Sequence, residues 1–131
     1  MTDTHTRPLL GGLNVLVVED QYLIADEMRR AVAALGGTVV GPCPTVEDAI
    51  ARLNAETVDF ALLDLNLRGQ QVLPVADELI RREIPFAFAT GYEDWVIPAE
   101  YRKHPRIEKP ASTVALRKAV EEALAARQTA R

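Results

Sequence analysis

Cysteine is nearly absent from this chain of 131 residues, since Cys43 is the single one. A lone cysteine excludes an internal disulfide and fits a reducing compartment. Long apolar runs are missing too, because no stretch approaches the about 20 residues that cross a bilayer. Residues 1–8 also lack the apolar core of a signal peptide. We therefore expect a cytoplasmic protein that does not insert into a membrane.

Clusters of lysine and arginine are the third absence. The formal net charge is −4, and an acidic chain without a basic run argues against non-specific nucleic-acid binding. The remaining composition is ordinary for a folded protein, with 48% apolar and 26% charged residues. The length suits one domain with one hydrophobic core.

Five short apolar runs predict β-strands. Residues 15–18 and 60–63 are continuously apolar, which is typical of strands covered on both faces. The intervals between the runs leave room for the crossover helices that parallel strands require. The five runs are 13–18, 38–41, 58–63, 85–89 and, more weakly, 106–108.

Helical patterns fill those intervals. Residues 21–35 carry one apolar face and end at Gly36. Residues 93–103 are the exception, because Pro98 interrupts them and any helix there is short or irregular. The alternation predicts an α/β fold with a doubly wound, five-stranded parallel sheet. Further helix starts are predicted at Thr45, at Pro74 and at Ser112 or Thr113.

Charged and hydroxyl side chains follow four of the five predicted strands. They are Glu19 and Asp20 after the first strand, Asp64 after the third, Thr90 after the fourth and Lys109 after the fifth. Ligands of doubly wound sheets bind beyond the carboxyl ends of the strands, where the strand order switches. With the order 2-1-3-4-5, the first and third strands are neighbours, so the three carboxylates would meet at this edge.

Three carboxylates clustered at one edge of a sheet favour a bound cation. Two like charges about 4 Å apart repel by roughly 4 kcal/mol at an effective dielectric of about 20, so clustered carboxylates need a cation or raised pKa values. Oxygen ligands with open positions suit Mg²⁺, and Lys109 with Thr90 would complete a phosphate cradle. The set fits phosphoryl transfer to a carboxylate nucleophile. Taken singly, each residue also has an ordinary role; Asp20, for example, could cap a helix.

The order of these residues along the strands resembles the receiver domain of two-component response regulators. The residues that carry the resemblance are the Glu19-Asp20 pair, Asp64, Thr90 and the Lys109-Pro110 pair. The resemblance implies a flavodoxin-like or CheY-like (βα)₅ fold over residues 13–127. It leaves a flexible N-terminus at 1–12 and a short tail at 128–131, and no output domain is expected.

The resemblance implies a role for each matched position. Asp64 would accept a phosphoryl group from a sensor histidine kinase or a histidine phosphotransferase. Glu19, Asp20, Asp64 and the backbone carbonyl of Asn66 would hold Mg²⁺ or Mn²⁺.

The remaining matched positions would bind the phosphoryl group. Thr90 and Lys109 would each contact one of its oxygens. A cis peptide bond before Pro110 would aim the Lys109 ammonium into the site.

One position departs from the family pattern. Typical receivers carry Tyr or Phe three residues before the lysine, where this sequence has Arg106. The stretch PFAFATGYED instead resembles the FAT GUY subgroup of receivers, which lacks that switch aromatic. Tyr92 is a candidate for part of the switching role, and a packed surface aromatic is the alternative. Residues 93–103 would then be a mobile segment that phosphorylation orders.

The leading expectation is a stand-alone receiver that is not an enzyme. It would signal through an unidentified downstream protein or act as a phosphate sink, as a monomer or a phosphorylation-dependent dimer. One alternative is an adaptor that does not depend on phosphorylation. Another is a small-molecule phosphatase, but haloacid-dehalogenase-like enzymes place an acid where this chain has Asn66.

Overall fold

The computed structural model describes residues 9–67, 69–91 and 97–129, with side chains described through residue 126. Within these residues the fold is α/β. The strands are β1 (Asn14–Val18), β2 (Thr38–Cys43), β3 (Phe60–Asp64), β4 (Asn66–Leu67), β5 (Gln70–Gln71), β6 (Phe86–Thr90) and β7 (Arg106–Glu108). The helices are α1 (Tyr22–Ala34), α2 (Val46–Ala55), α3 (Leu73–Arg81) and α4 (Thr113–Thr129), and one 3₁₀ turn covers Ala99–Tyr101.

Five of the strands form a single parallel sheet in the order β2-β1-β3-β6-β7. Because β6 and β7 are the fourth and fifth strands predicted from the sequence, the predicted doubly wound order 2-1-3-4-5 is confirmed. The central strand β3 is buried at every position and lies between β1 and β6. Asp64 is the last residue of this strand.

Apolar side chains cover both faces of this sheet, which explains its continuously apolar strands. Leu16 and Leu63 pack in a cluster with α2 and α3, whereas Val17 and Leu62 pack in a cluster with α1 and α4. Successive residues of a strand point to opposite faces, so a strand between two helix layers needs apolar residues at every position. Because β1 and β3 pair in parallel, their carboxyl ends lie side by side between the two helix layers.

Helix starts follow the predicted capping residues. The Asp48 N–H donates to Thr45 Oγ1 at 3.0 Å, and the Ala115 N–H donates to Ser112 Oγ at 3.1 Å. Ser112 rather than Thr113 therefore caps α4. Gln21 lies at the N-cap position of α1, and its own side chain makes no capping hydrogen bond.

Two local elements differ from the predicted alternation. The described residues contain four α-helices instead of five, and Pro98 precedes the 3₁₀ turn Ala99–Tyr101 where the fourth helix would lie. The turn agrees with the short or irregular helix predicted for this part of the chain, of which residues 92–96 lie outside the described residues. The sequence also gave no sign of the β4–β5 hairpin, because two-residue strands are too short to show a period.

The folded domain extends beyond its predicted limits at both ends. Leu10 is fully buried, and its N–H donates to the Leu35 carbonyl at 2.8 Å. Leu10 therefore belongs to the core, although the sequence pattern assigned it to the N-terminal segment because Gly11 and Gly12 separate it from the apolar run of β1. Helix α4 continues to Thr129, into the predicted tail. Among the described residues, none of the helices combines the length and hydrophobicity that a bilayer crossing requires.

Candidate functional site

Three polar side chains are buried within the described part of the chain, and all three lie at the carboxyl edge of the sheet. Glu19 is 2% exposed, Asp64 is 1% exposed and Thr90 is 4% exposed. Glu19 directly follows β1, Asp64 ends β3 and Thr90 ends β6. Burying polar groups costs free energy unless they are paired, so this concentration marks a site rather than a packing core.

Lys109 joins the two buried carboxylates. Its Nζ lies 2.8 Å from Asp64 Oδ1 and 3.0 Å from Glu19 Oε1. The lysine side chain is itself only 12% exposed. One ammonium therefore lies between the carboxylate that follows β1 and the carboxylate that ends β3, and the predicted convergence of Glu19, Asp64 and Lys109 is observed.

Asp20 completes an acidic cluster with Glu19 and Asp64. Each of the three residues offers a carboxylate oxygen, and these oxygens lie within 4.8 Å of one another. Asp20 is half-buried, which gives the cluster a side towards solvent. An all-oxygen donor set with an open side fits Mg²⁺, which keeps several waters, and the residues present therefore suit the implied metal.

Electrostatics strengthen that fit. Burial, followed by the nearby charge of Asp64, raises the pKa of Glu19 to about 7. Burial also raises the pKa of Asp64, despite its hydrogen bond to Lys109. Burial disfavours the charged form of Lys109, but hydrogen bonds to Asp64 and Glu19 outweigh it and raise the lysine pKa. The Lys109 ammonium therefore stays charged. The pKa values of Glu19 and Asp64 remain raised despite this ammonium, so a bound cation would stabilise their charged forms.

Asn66 lies in the hairpin that follows Asp64. Its N–H donates to Asp64 Oδ1 at 3.3 Å, and its side-chain oxygen accepts from the Gly69 N–H at 3.2 Å. The Val72 N–H donates to the Leu65 carbonyl across the hairpin, so Leu65 and Val72 form a hydrogen-bonded pair. Bonded pairs alternate with non-bonded pairs in an antiparallel ladder, and Asn66 falls at a non-bonded position. Its carbonyl therefore points away from β5, as its predicted role requires; the role itself stays a prediction.

Thr90 and the residues after β7 form the opposite side of the site. The Thr90 hydroxyl donates to the Ile107 carbonyl across a long 3.5 Å. The Lys109 N–H donates to the Thr90 carbonyl at 2.9 Å, which fixes the start of the lysine loop against β6. The peptide bond between Lys109 and Pro110 is cis. The 3.5 Å between the Thr90 hydroxyl and the Ile107 carbonyl is longer than an ordinary hydroxyl hydrogen bond, so this contact is weak.

Of the two residues predicted to take part in switching, the structure describes Arg106 but not Tyr92. Arg106 begins β7 with an exposed side chain, opposite Phe88 in the register. Tyr92 lies outside the described residues, so its role stays a prediction.

Sequence reasoning missed Tyr101, which is buried and donates its hydroxyl to Asp77 Oδ1 at 2.7 Å. Its ring contacts Phe88 edge to face. The apolar pattern around Tyr101 was the available signal, but no pattern identified Asp77 on α3 as its partner.

Comparison with known proteins assigns the family. No family model matches the sequence. The positive alginate biosynthesis regulatory protein of Pseudomonas aeruginosa is 33% identical over 91 residues, which are 66% of this chain and 37% of that protein. The solution structure of SdrG from Sphingomonas melonis Fr1 is 39% identical with a TM-score of 0.79, over 86% of this chain and 96% of SdrG. SdrG has also been solved in a BeF3-activated conformation, with a TM-score of 0.73 to this chain.

A solved signal receiver domain shows the same fold. The receiver domain of a modulated diguanylate cyclase from Desulfovibrio desulfuricans G20 has a TM-score of 0.74 at 24% identity, over 91% of this chain and 98% of that domain. The chain therefore belongs to the receiver domains of response regulators. The matched segments span 35% to 45% of the length of the curated relatives.

Proposed function

We propose that Asp64 accepts a phosphoryl group from the phosphohistidine of a sensor histidine kinase or a histidine phosphotransferase, in a reaction that requires Mg²⁺ or Mn²⁺. The observation that carries the proposal is the buried Asp64 carboxylate, 2.8 Å from Lys109 Nζ and clustered with two further carboxylates. A structural ion pair would need neither the third carboxylate nor a hydroxyl at the same edge.

The residues of the site divide the chemistry. A carboxylate oxygen of Asp64 attacks phosphorus, the phosphorus–nitrogen bond breaks, and the histidine nitrogen leaves with the electron pair. Lys109 neutralises charge on a phosphoryl oxygen, and the Thr90 hydroxyl donates to another. Glu19, Asp20, Asp64 and the Asn66 carbonyl would hold the metal ion, which supplies further charge neutralisation when it is bound.

The proposed output is a protein contact rather than catalysis on other substrates. The chain would act as a receiver that catalyses only its own phosphorylation and dephosphorylation, in the cytoplasm. It would signal through a downstream protein or serve as a phosphate sink. Arg106 in place of an aromatic residue supports membership of the FAT GUY subgroup. In that case residues 93–103, with Tyr92, would respond to phosphorylation.

Intact mass spectrometry tests the proposal. The protein is incubated with acetyl phosphate and Mg²⁺, and we expect one added phosphoryl group. Asp64→Asn should remove the added mass. Asp48→Asn, an exposed aspartate at the start of α2, is the matched control and should retain it. Omission of divalent metal with EDTA should abolish the reaction.

The same experiment separates the alternatives. An unchanged mass together with metal-independent partner binding would indicate the adaptor. Repeated turnover of small phosphoesters would indicate a phosphatase. The structure offers little support for a phosphatase, because the Asn66 side-chain oxygen accepts a hydrogen bond from the Gly69 N–H within the hairpin.

A further inference from the structure

An extra residue in β2 interrupts its pairing with β1. The register first places Leu16 opposite Val40. Two residues further along β1, Val18 lies opposite Cys43. Two steps along β1 thus correspond to three along β2, which is a β-bulge. An unbroken register would place Pro42 opposite Val18, and the proline nitrogen has no hydrogen to donate to a sheet. The bulge places Cys43 there instead.

The bulge requires glycine at position 41. Gly41 has a φ of +105°, in the left-handed region that side chains disfavour. A Cβ at this position would lie 2.8 Å from the Cys43 nitrogen and 2.9 Å from the Val17 carbonyl oxygen. Both are backbone atoms of the paired strands, so neither can move without a change in the pairing. We therefore expect a side chain at position 41 to displace Cys43 from β1.

The displaced residue would be one that holds the backbone of Glu19. The Cys43 carbonyl accepts a hydrogen bond from the Glu19 N–H at 2.9 Å. Glu19 lies one residue beyond β1, and the pairing of β1 with β3 also ends before it, at Val18. The bond to Cys43 thus extends the contact between β1 and β2 as far as the first carboxylate of the acidic cluster.

The Glu19 side chain leaves this backbone position directly into the site. Its Oε2 accepts a hydrogen bond from the Gln21 N–H at 3.1 Å, and its Oε1 lies 3.0 Å from Lys109 Nζ. The side chain is fully buried. A close-packed interior leaves a side chain little room to compensate for a shift of its backbone. The position of the Glu19 carboxylate therefore depends on the bond to Cys43.

We propose that Gly41 is a positioning residue of the metal site. The bulge at Gly41 places the Cys43 carbonyl against the Glu19 N–H, and so places the Glu19 carboxylate beside those of Asp20 and Asp64. Bulges next to functional sites re-aim side chains in this way. Gly41 itself contributes no ligand and acts through the backbone alone. The inference rests on the metal site of the proposed function.

Protection of the sheet edge is the competing role for the bulge. Strand β2 is the outermost strand next to β1, and Pro42 and Pro44 lack the N–H groups that could pair with another chain. In that role Gly41 would matter for folding but not for metal binding. The magnesium affinity of the folded protein therefore distinguishes the two roles.

Calorimetric titration of Gly41→Ala with Mg²⁺ tests the proposal. We expect the unphosphorylated full chain to bind Mg²⁺ at least about tenfold more weakly than wild type, as is typical when a group that orients a metal ligand is lost. The amide resonance of Glu19 should also shift in the metal-free variant. Urea unfolding establishes that the variant is folded under the conditions of the titration.

Gly12→Ala is the matched control. Gly12 also has a positive φ, of +78°, but a Cβ there would meet no described atom within 4 Å. It precedes β1, at the end of the strand opposite to the site. The control thus introduces backbone strain without disturbing the bulge, and it should bind Mg²⁺ as wild type does.

Hydrogen exchange of the wild-type protein gives a test that needs no variant. If the bond from Glu19 to Cys43 favours metal binding, bound Mg²⁺ must favour that bond to the same degree. Saturating Mg²⁺ should therefore slow exchange of the Glu19 amide more than that of the Thr38 amide. Thr38 donates to the Leu13 carbonyl at the other end of the same strand pair, where local opening is independent of the site.

Three results would overturn the proposal. They are wild-type magnesium affinity in folded Gly41→Ala, equal loss of affinity in Gly41→Ala and Gly12→Ala, and equal slowing of the Glu19 and Thr38 amides. Failure of the proposed phosphoryl transfer is a separate result, because Asp64 is unphosphorylated in all of these measurements. A protein that binds Mg²⁺ but gains no phosphoryl group would contradict the proposed function and leave the role of Gly41 intact.

Discussion

Lys109 Nζ lies 2.8 Å from Asp64 Oδ1, although Asp64 ends β3, Lys109 follows β7, and these two strands are not neighbours in the sheet. Strand β6 lies between them, and the lysine reaches across its end. The backbone bond from the Lys109 N–H to the Thr90 carbonyl holds the lysine loop against β6. The ion pair and this backbone hydrogen bond thus connect the carboxyl ends of β3, β6 and β7.

Removal of the Lys109 ammonium should lower the free energy of unfolding and the reactivity of Asp64 towards a phosphoryl donor. Lys109→Met leaves Asp64 and Glu19 buried without their cation, and loss of one partner of a buried pair costs about 3–5 kcal/mol. We expect this loss in urea unfolding at pH 8, with a smaller loss at pH 6, where the carboxyls can take up protons. Lys109→Arg keeps the charge and serves as the control. Equal stability of Lys109→Met and wild type at pH 8 would contradict the ion-pair interpretation.

Glu19 should make the metal-free protein less stable as the pH rises. Its pKa is raised from 4.5 to about 7 by burial and by Asp64, so between these values the folded state binds more protons than the unfolded state. Stability contributed by its protonation is therefore lost from about pH 4.5 to about pH 7. Urea unfolding in EDTA measures this slope, and Glu19→Gln should reduce it, because the raised pKa of Asp64 contributes a slope of the same sign.

His104 opposes that slope and must be separated from it. Burial lowers its pKa from 6.5, so the folded state resists protonation and loses stability as the pH falls below that value. His104 is unchanged in both proteins, so its contribution cancels in the difference between wild type and Glu19→Gln. A difference that does not change with pH would contradict the raised pKa.

Magnesium binding should weaken as the pH falls below about 7, because protons and metal compete for Glu19. Calorimetric titration at pH 6 and pH 8 measures the change. Asp20→Asn should weaken binding about tenfold or more, since affinity follows the charge of the ligands. Glu47→Gln, an exposed residue at the start of α2, is the control and should bind as wild type does.

Tyr101 should stabilise the segment before β7 through its bond to Asp77. Tyr101→Phe removes the hydroxyl but keeps the ring against Phe88, and hydrogen bonds to charged groups contribute about 1.5–3 kcal/mol. The bond also raises the pKa of Tyr101 to about 12. A double-mutant cycle with Asp77→Ala should show non-additive losses in free energy of unfolding. Additive losses would mean that the two side chains do not interact.

The sequence predicted the sheet because its strands are covered on both faces. Continuous apolar runs such as residues 60–63 are recognisable without coordinates, and the intervals between them require helices. The strand order then placed Glu19, Asp64 and Lys109 at one edge. Site residues that directly follow a strand could therefore be predicted together.

Features that depend on side-chain contacts could not be predicted. No pattern shows that Lys109 also pairs with Glu19, or that Glu19 is fully buried, because both depend on how the loops close. The hairpin after Asp64 forms from strands too short for a period, and Leu10 is separated from β1 by two glycines.

Borohydride trapping tests the central claim most directly. Sodium borohydride reduces an aspartyl phosphate to homoserine, which marks the modified residue for peptide sequencing by mass spectrometry. After treatment with acetyl phosphate and Mg²⁺, we predict homoserine at position 64 and at no other aspartate. Homoserine at another aspartate, or none in protein that has gained a phosphoryl group, would contradict the assignment of Asp64 as the phosphoacceptor.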